Sequence, residues 1–234
     1  MIYLKGINLK KAREGVQSIM KSKSDTNSIA KIVFAFNGNC LDKTIDKWTE
    51  TPMGQRYMNG ERLCDLFPEG KNMPKKSLGY VHYEYLNYDK MDELKVRVPI
   101  NKNLITKDKA FADWSVDCHD IMHILTGYGS DGLGELLRAE YEISQNYMQG
   151  WRLILTAFKL KMFFINPLML YRIRHIIREP KIRAKNSNNF LFQNWFDLLE
   201  EDVDWIRARI LMLAPTEHYE FQHPRFAPFI ESHF

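Results

Sequence analysis

The sequence predicts an all-α protein, one multi-helix domain over residues 1–234. Apolar residues recur at spacings of three and four through most of the chain, as on one helix face. Clusters of Gly, Pro, Ser, Thr and Asn separate these stretches. Period-two alternation suits only short pieces, chiefly 94–101 (LKVRVPIN), a short strand or an extended linker. A chain of 234 residues, 45% hydrophobic and 26% charged, can bury one sizeable core or two closely packed lobes.

The elements follow in order. Residues 7–21 and 25–36 read as two short helices, the second carrying Ile29, Ile32, Val33 and Phe36 at helical spacing. Thr51-Pro52-Met53-Gly54 and Phe67-Pro68-Glu69-Gly70 are turn punctuation. Residues 77–90 read as a helix with Tyr80, Tyr83 and Leu86 on one face, although alternation there also suits a strand. The strongest helix runs from about 108 to 126, with an apolar stripe of Phe111, Trp114, Cys118, Ile121 and Leu125. A further helix over about 133–149 would bury Leu133, Leu136, Leu137, Tyr141, Ser144 and Met148. Trp195, Phe196, Leu199, Val203, Trp205, Ile206 and Ile210 suit a last amphipathic helix, with Glu200, Glu201 and Asp202 at its edge.

The motif with most chemistry is His119-Asp120-x-x-His123, followed twelve residues later by Glu135. On a helix, residues i and i+4 lie one above the other, so both imidazoles project from one face, about 5–6 Å apart at Cβ. They sit at the edge of the apolar stripe, where they would line a cleft between helices. Asp120 lies roughly 100° around the helix and can reach the same ion or orient one of its ligands. Gly127, Gly129, Gly132 and Gly134 break the helix and allow Glu135 to fold back. A His-x-x-x-His pair alone is commonly a coincidence of surface residues; Asp120 and a carboxylate beyond a glycine-rich break strengthen the metal reading. Two imidazoles with one or two carboxylates suit a divalent transition metal with an open position, either zinc or iron.

Charge and cysteine usage narrow the classes. Three cysteines (Cys40, Cys64, Cys118) have neither metal nor disulfide spacing, which points to a reducing compartment, and Cys118 falls on the buried stripe. No secretory or transit leader is expected, and no apolar run is long enough to span a bilayer. The segment 151–185 is apolar at first, interrupted by Lys159, Lys161 and Pro167. It then turns basic, with Arg172, Arg174, Arg178, Lys181, Arg183 and Lys185 against Glu179. That pattern fits an interfacial membrane segment, or a core helix followed by a solvated basic loop. Nucleic acid is not an expected partner, because no stacking aromatics stand between those charges. His218, His223 and His233, in an extension after Pro215, have no metal spacing and read as surface or packing residues.

The segment around His119 resembles the ubiquinone (coenzyme Q) biosynthesis family known as Coq-four, whose hallmark is His-Asp-x-x-His, eleven residues, then Glu. His119, Asp120, His123 and Glu135 match it at every fixed position. Glu50-Thr51-Pro52-x-Gly54 is similar to its ETPxG element. Leu66-Phe67-Pro68-Glu69-Gly70, then Ser77-Leu78-Gly79, is similar to its LPEGSLG turn with six extra residues. The likeness covers roughly residues 25–212; the glycine-rich stretch after Leu125, the basic segment and the tail depart from it. It implies an all-α fold with a metal site between helices beside an apolar groove for prenylated ligands. The implied reaction is oxidative decarboxylation of a prenylated benzoate, hydroxyl replacing carboxylate at ring carbon 1. The implied metal-binding and catalytic residues are His119, Asp120, His123 and Glu135, with Asp120 as a further ligand or one step behind the ligands. Zinc is the first candidate, iron or another transition metal the alternative.

The implied partners are a prenylated quinone precursor, the membrane lipid surface, other quinone-biosynthesis proteins and a second copy in a homodimer. The implied location is the cytoplasmic face of a bacterial inner membrane, or the matrix side of the mitochondrial one. Two rivals remain open. One is a non-enzymatic lipid-binding scaffold. The other is an HD-type metal phosphohydrolase, which needs an upstream His and a downstream Asp; His82 and Asp202 or Asp204 are available.

Overall fold

The computed structural model describes residues 39–88, 105–145, 152, 155–156, 171 and 174–214. The helices expected at 7–21 and 25–36, the stretch 94–101, most of 151–173 and the tail after 215 lie outside these residues. Among the described residues the regular structure is helical and no strand forms; Ser77 and Asp202 make an isolated antiparallel bridge. No helix there is long and apolar enough to cross a membrane. The chain divides into two compact units, Met1–Thr44 with Ala139–Lys185, and Ile45–Arg138 with Asn186–Phe234.

The second unit holds the motif. Helix α1 (Asn39–Thr49), which ends in it, buries Leu41, Ile45 and Trp48 at helical spacing. Sequence reading passed over it, although the period was legible. Thr51 caps α2 (Pro52–Met58) by accepting from the Gly54 N–H at 3.1 Å, with Pro52 opening the helix. Two 3₁₀ turns (Leu63–Asp65, Phe67–Asn72) lead to α3 (Leu78–Tyr88). The helix reading of this aromatic stretch holds, but its buried face is Leu78, Val81, His82 and Tyr85; Tyr80, Tyr83 and Leu86 are only partly covered. The roll is set where α3 begins. Leu78 N–H donates to the Glu201 carbonyl at 2.9 Å, and Gly79 N–H to that of Leu199 at 2.7 Å. Two otherwise orphaned helix-start donors are thereby satisfied by the C-terminal segment.

The long helix expected over 108–126 is two helices, α4 (Lys107–Asp117) and α5 (His119–Thr126). Between them Cys118 has ψ −3°, far from the helical value near −42°. The joint is anchored at Asp117, whose carboxylate accepts from Tyr57 Oη at 2.8 Å and Arg62 Nε at 3.1 Å. Arg62 Nη2 pairs with its other oxygen. The whole stripe from Phe111 to Leu125 is buried as expected. Trp48 meets Phe111 edge-on at 5.2 Å and Trp114 at 5.7 Å, forming the aromatic centre of this unit.

The single amphipathic helix expected over 195–210 is replaced by three pieces. These are a 3₁₀ turn (Trp195–Leu198), a helical turn (Val203–Trp205) and a π turn (Ile206–Ile210). Asp202 causes the break. Its carboxylate caps the Asp204 and Trp205 N–H groups, which requires the extended backbone it adopts, φ −62° and ψ 132°. The π turn carries the buried Arg207, which donates to the Ile124 and Leu125 carbonyls. Those carbonyls end α5 and lack helical partners, so Arg207 secures the end of the motif helix.

Helix α6 (Gly132–Ser144) begins in the second unit and ends in the first. Leu136, Leu137 and Tyr141 are buried as expected, Leu133 and Ser144 only partly, and Met148 lies beyond the described residues. In the first unit the described part of the basic stretch is helical and not a loop. It forms α7 (Arg178–Asn186), where buried Arg183 and Glu179 pair at 3.4 Å and Lys181 reaches Glu140 at 3.5 Å.

Candidate metal centre

Helix α5 sets His119 and His123 one turn apart, their ring centroids 4.8 Å from each other. It stops because Gly127 takes the left-handed conformation, φ 77°, which glycine adopts without a Cβ clash. Asp131 restarts the chain as α6 by accepting from the Leu133 and Gly134 N–H groups at 2.8 and 3.1 Å. The loop is tight enough that a Cβ on Gly134 would lie 1.8 Å from the Gly129 carbonyl oxygen. This hairpin returns Glu135 to the histidines. One ligand atom each from His119, His123 and Glu135 lies within 4.8 Å of the others, and this trio is the metal-capable group among the described residues.

The outer hydrogen bonds decide which atoms face inward. His123 Nδ1 meets the Tyr128 carbonyl at 3.1 Å. A carbonyl only accepts, so Nδ1 carries the proton and Nε2 presents its lone pair. His119 Nδ1 meets Asp120 Oδ1 at 2.9 Å, with the same consequence. Glu135 Oε1 stands 3.1 Å from His123 Nε2 and 3.4 Å from His119 Nε2. Three electron-pair donors therefore converge on one point, and they repel unless a cation lies among them. A divalent metal fits that requirement; without it, a proton must serve.

The electrostatics agree. Burial and the Arg138 cation pull the His119 pKa down, but Asp120 and Glu135 outweigh them and raise it to about 9. Burial lowers that of His123, keeping its ring neutral, and Glu135 only partly opposes this. Burial works against the ionised Glu135, yet Arg138 and the two histidines hold its carboxyl far below the usual range. Asp120 is likewise held ionised against burial, chiefly by His119. The opening lies on one side: the His119 and Glu135 side chains are 29% and 38% exposed, that of His123 only 1%.

Of the four motif residues, the structure gathers His119, His123 and Glu135, and places Asp120 behind His119, its Oδ1 engaged with that ring. Two contributors escaped sequence reading, and a third, His82, entered it only as the upstream histidine of the HD-type rival. Arg138 is buried and grips Glu135 Oε2 through Nε and Nη2, both at 3.1 Å. Its position three residues after Glu135 on a helix was the available signal. The Tyr128 carbonyl has no sequence signal, being backbone. His82 is 1% exposed, lies tilted by 33° against Phe67 with centroids 3.8 Å apart, and has Nε2 4.0 Å from Asp120 Oδ2. Neither of its ring nitrogens has a hydrogen-bond partner among the described residues. Burial pushes its pKa down to about 4, and Asp120 only partly opposes this.

Fold and site together define a helical protein with a two-histidine, one-carboxylate metal-capable centre. No family model matches the chain, and no curated protein matches its sequence significantly. In structure it is similar to a proposed ubiquinone biosynthesis protein from Nostoc punctiforme, with TM-score 0.62 and 17% identity. The match covers 86% of this chain and 97% of that one. At that identity the likeness is one of fold.

Proposed function

We propose that this chain is a metal-dependent enzyme of ubiquinone biosynthesis that replaces the carboxyl group of a prenylated benzoate by hydroxyl at ring carbon 1. The observation that carries the reading is the convergence of His119 Nε2, His123 Nε2 and Glu135 Oε1 on one point, with two outer hydrogen bonds fixing the ring tautomers. The fold shared with the Nostoc protein and the match of all four motif residues support the pathway. His119, His123 and Glu135 would hold the ion, zinc or iron by the chemistry of the donor set. A bound ion supplies a Lewis acid for the substrate's carboxylate or ring oxygen, and stabilises negative charge as carbon dioxide leaves.

The chain's own residues do the rest. Asp120 holds the proton on His119 Nδ1 and so keeps Nε2 aimed inward. Partly exposed His119 and Glu135 give the substrate its approach, while buried His123 keeps water from the inner side. The balanced reaction takes the benzoic acid, dioxygen, two electrons and two protons to the phenol, carbon dioxide and water; the electrons come from a two-electron donor. Exposed Tyr171 and Ile182, in the same stretch as exposed Arg174, Arg178 and Lys185, support docking on an anionic lipid surface where the prenyl tail resides.

The test is mass spectrometry of lipid extracts from a strain lacking its own decarboxylation step, expressing this chain or its Glu135→Ala variant. Loss of the prenylated acid and gain of the hydroxylated ring, only with Glu135 intact, is the expected result. Equal rescue by both proteins would transfer the assignment to a non-catalytic lipid-binding scaffold.

A further inference from the structure

The Glu135 carboxylate is divided between two neighbours. Oε1 faces His123 Nε2 at 3.1 Å and His119 Nε2 at 3.4 Å, while Oε2 takes Arg138 Nε and Nη2, each at 3.1 Å. Arg138 is 1% exposed, so its guanidinium is held by its surroundings and cannot swing away into solvent. Its planar fork gives Oε2 a fixed partner that a flexible ammonium would not. A carboxylate binds a divalent metal through one oxygen or through both. With Oε2 engaged, only Oε1 remains to be offered.

We propose that Arg138 is a positioning residue that makes Glu135 a one-oxygen metal ligand and thereby keeps a coordination position open for an anionic oxygen of the substrate. The charges point to the class of ligand. Two neutral imidazoles add nothing, and Arg138 offsets the Glu135 carboxylate. Asp120, behind His119, cancels only part of a dication, so the open position draws a carboxylate or a phenolate. The inference rests on the metal-site reading above, and not on decarboxylation.

The experiment loads the full chain with cobalt(II), whose visible bands weaken as coordination number rises. It compares wild type with Arg138→Met and Arg138→Lys, then adds benzoate as the anionic probe. Arg138→Met should give weaker bands than wild type, because the released Oε2 closes onto the metal, and should bind benzoate at least tenfold more weakly. Arg138→Lys should give a spectrum between those of wild type and Arg138→Met, because an ammonium keeps the charge beside Oε2 but does not fix the oxygen in place. An Arg138→Met protein with wild-type bands, or one that loses cobalt affinity with unchanged band shape, overturns the proposal. Should Arg138→Met not fold, X-ray absorption of zinc-loaded wild type decides: one Glu135 oxygen at bonding distance upholds the proposal, two overturn it. A wild type that binds neither cobalt nor zinc removes the metal-site reading itself, and this inference with it.

Discussion

Metal uptake should be coupled to the release of one proton, and the structure sets the pH range. His119 is raised to about 9, whereas His123 is lowered from its ordinary value and Glu135 is held ionised. Below pH 9, then, the metal-free site holds one proton, shared by His119 with its carboxylates, and a metal must displace it. The sign follows: affinity falls as pH falls, about tenfold or 1.4 kcal/mol per pH unit. Between pH 8.5 and 6.5 the apparent dissociation constant should therefore rise roughly 100-fold, about 2.7 kcal/mol. Competition with a chromophoric chelator across that range measures it, and calorimetry in buffers of different ionisation heat counts the protons independently. Asp120→Asn removes the carboxylate that holds the proton, so the pH above which affinity levels off should drop. A flat profile, or two protons released above pH 6.5, would refute this account of the site.

Two further outcomes concern stability. Asp117→Ala leaves buried Arg62 beneath the α4–α5 joint with only the longer pair to Asp113, 3.9 Å from its Nη1, which should cost about 3 kcal/mol in urea unfolding; Arg62→Met with Asp117→Leu should recover most of it. A loss under about 1 kcal/mol would show the pair to be solvated. His82 is pushed down to about 4, so the folded chain resists a proton that the unfolded chain binds near 6.5. Stability present above pH 6.5 should thus fall as pH drops toward 4, by about 3 kcal/mol from this residue. His82→Phe should flatten that part of the curve, and an unchanged pH profile would show that His82 finds a proton acceptor.

What the sequence made legible was what lies within one helix or one turn. The imidazole pair, the break at Gly127 and the buried stripe through Cys118 all follow from local period and glycine chemistry. The split of the long helix at Cys118 did not, because its cause is Arg62 and Tyr57, distant in sequence and close in space. The C-terminal helix failed for a local reason that could have been seen: Asp202 before Asp204 and Trp205 is a capping position. Which face of α3 is buried was not legible either, because the contacts that turn Leu78, Val81, His82 and Tyr85 inward come from the C-terminal segment, distant in sequence.

The same contacts weigh the HD-type rival. That reading needs Asp120 as a metal ligand, with an upstream His and a downstream Asp beside it. His82 does stand near, at 4.0 Å from Asp120 Oδ2. The downstream acids, however, are engaged elsewhere. Asp202 caps a helical turn, and Asp204 pairs with Arg207 at 2.7 Å. Asp120 Oδ1 is taken by His119 Nδ1, so the other ring nitrogen of His119 turns toward Glu135. A hydrolase of that kind would leave His123 and Glu135 without a role. Here they provide two of the three converging atoms, and Arg138, Tyr128 and the Gly129–Gly134 contact all serve to hold them there. The fold's effort is spent on the second histidine and the returning glutamate, which is the expenditure a His-His-Glu centre requires and an HD centre does not.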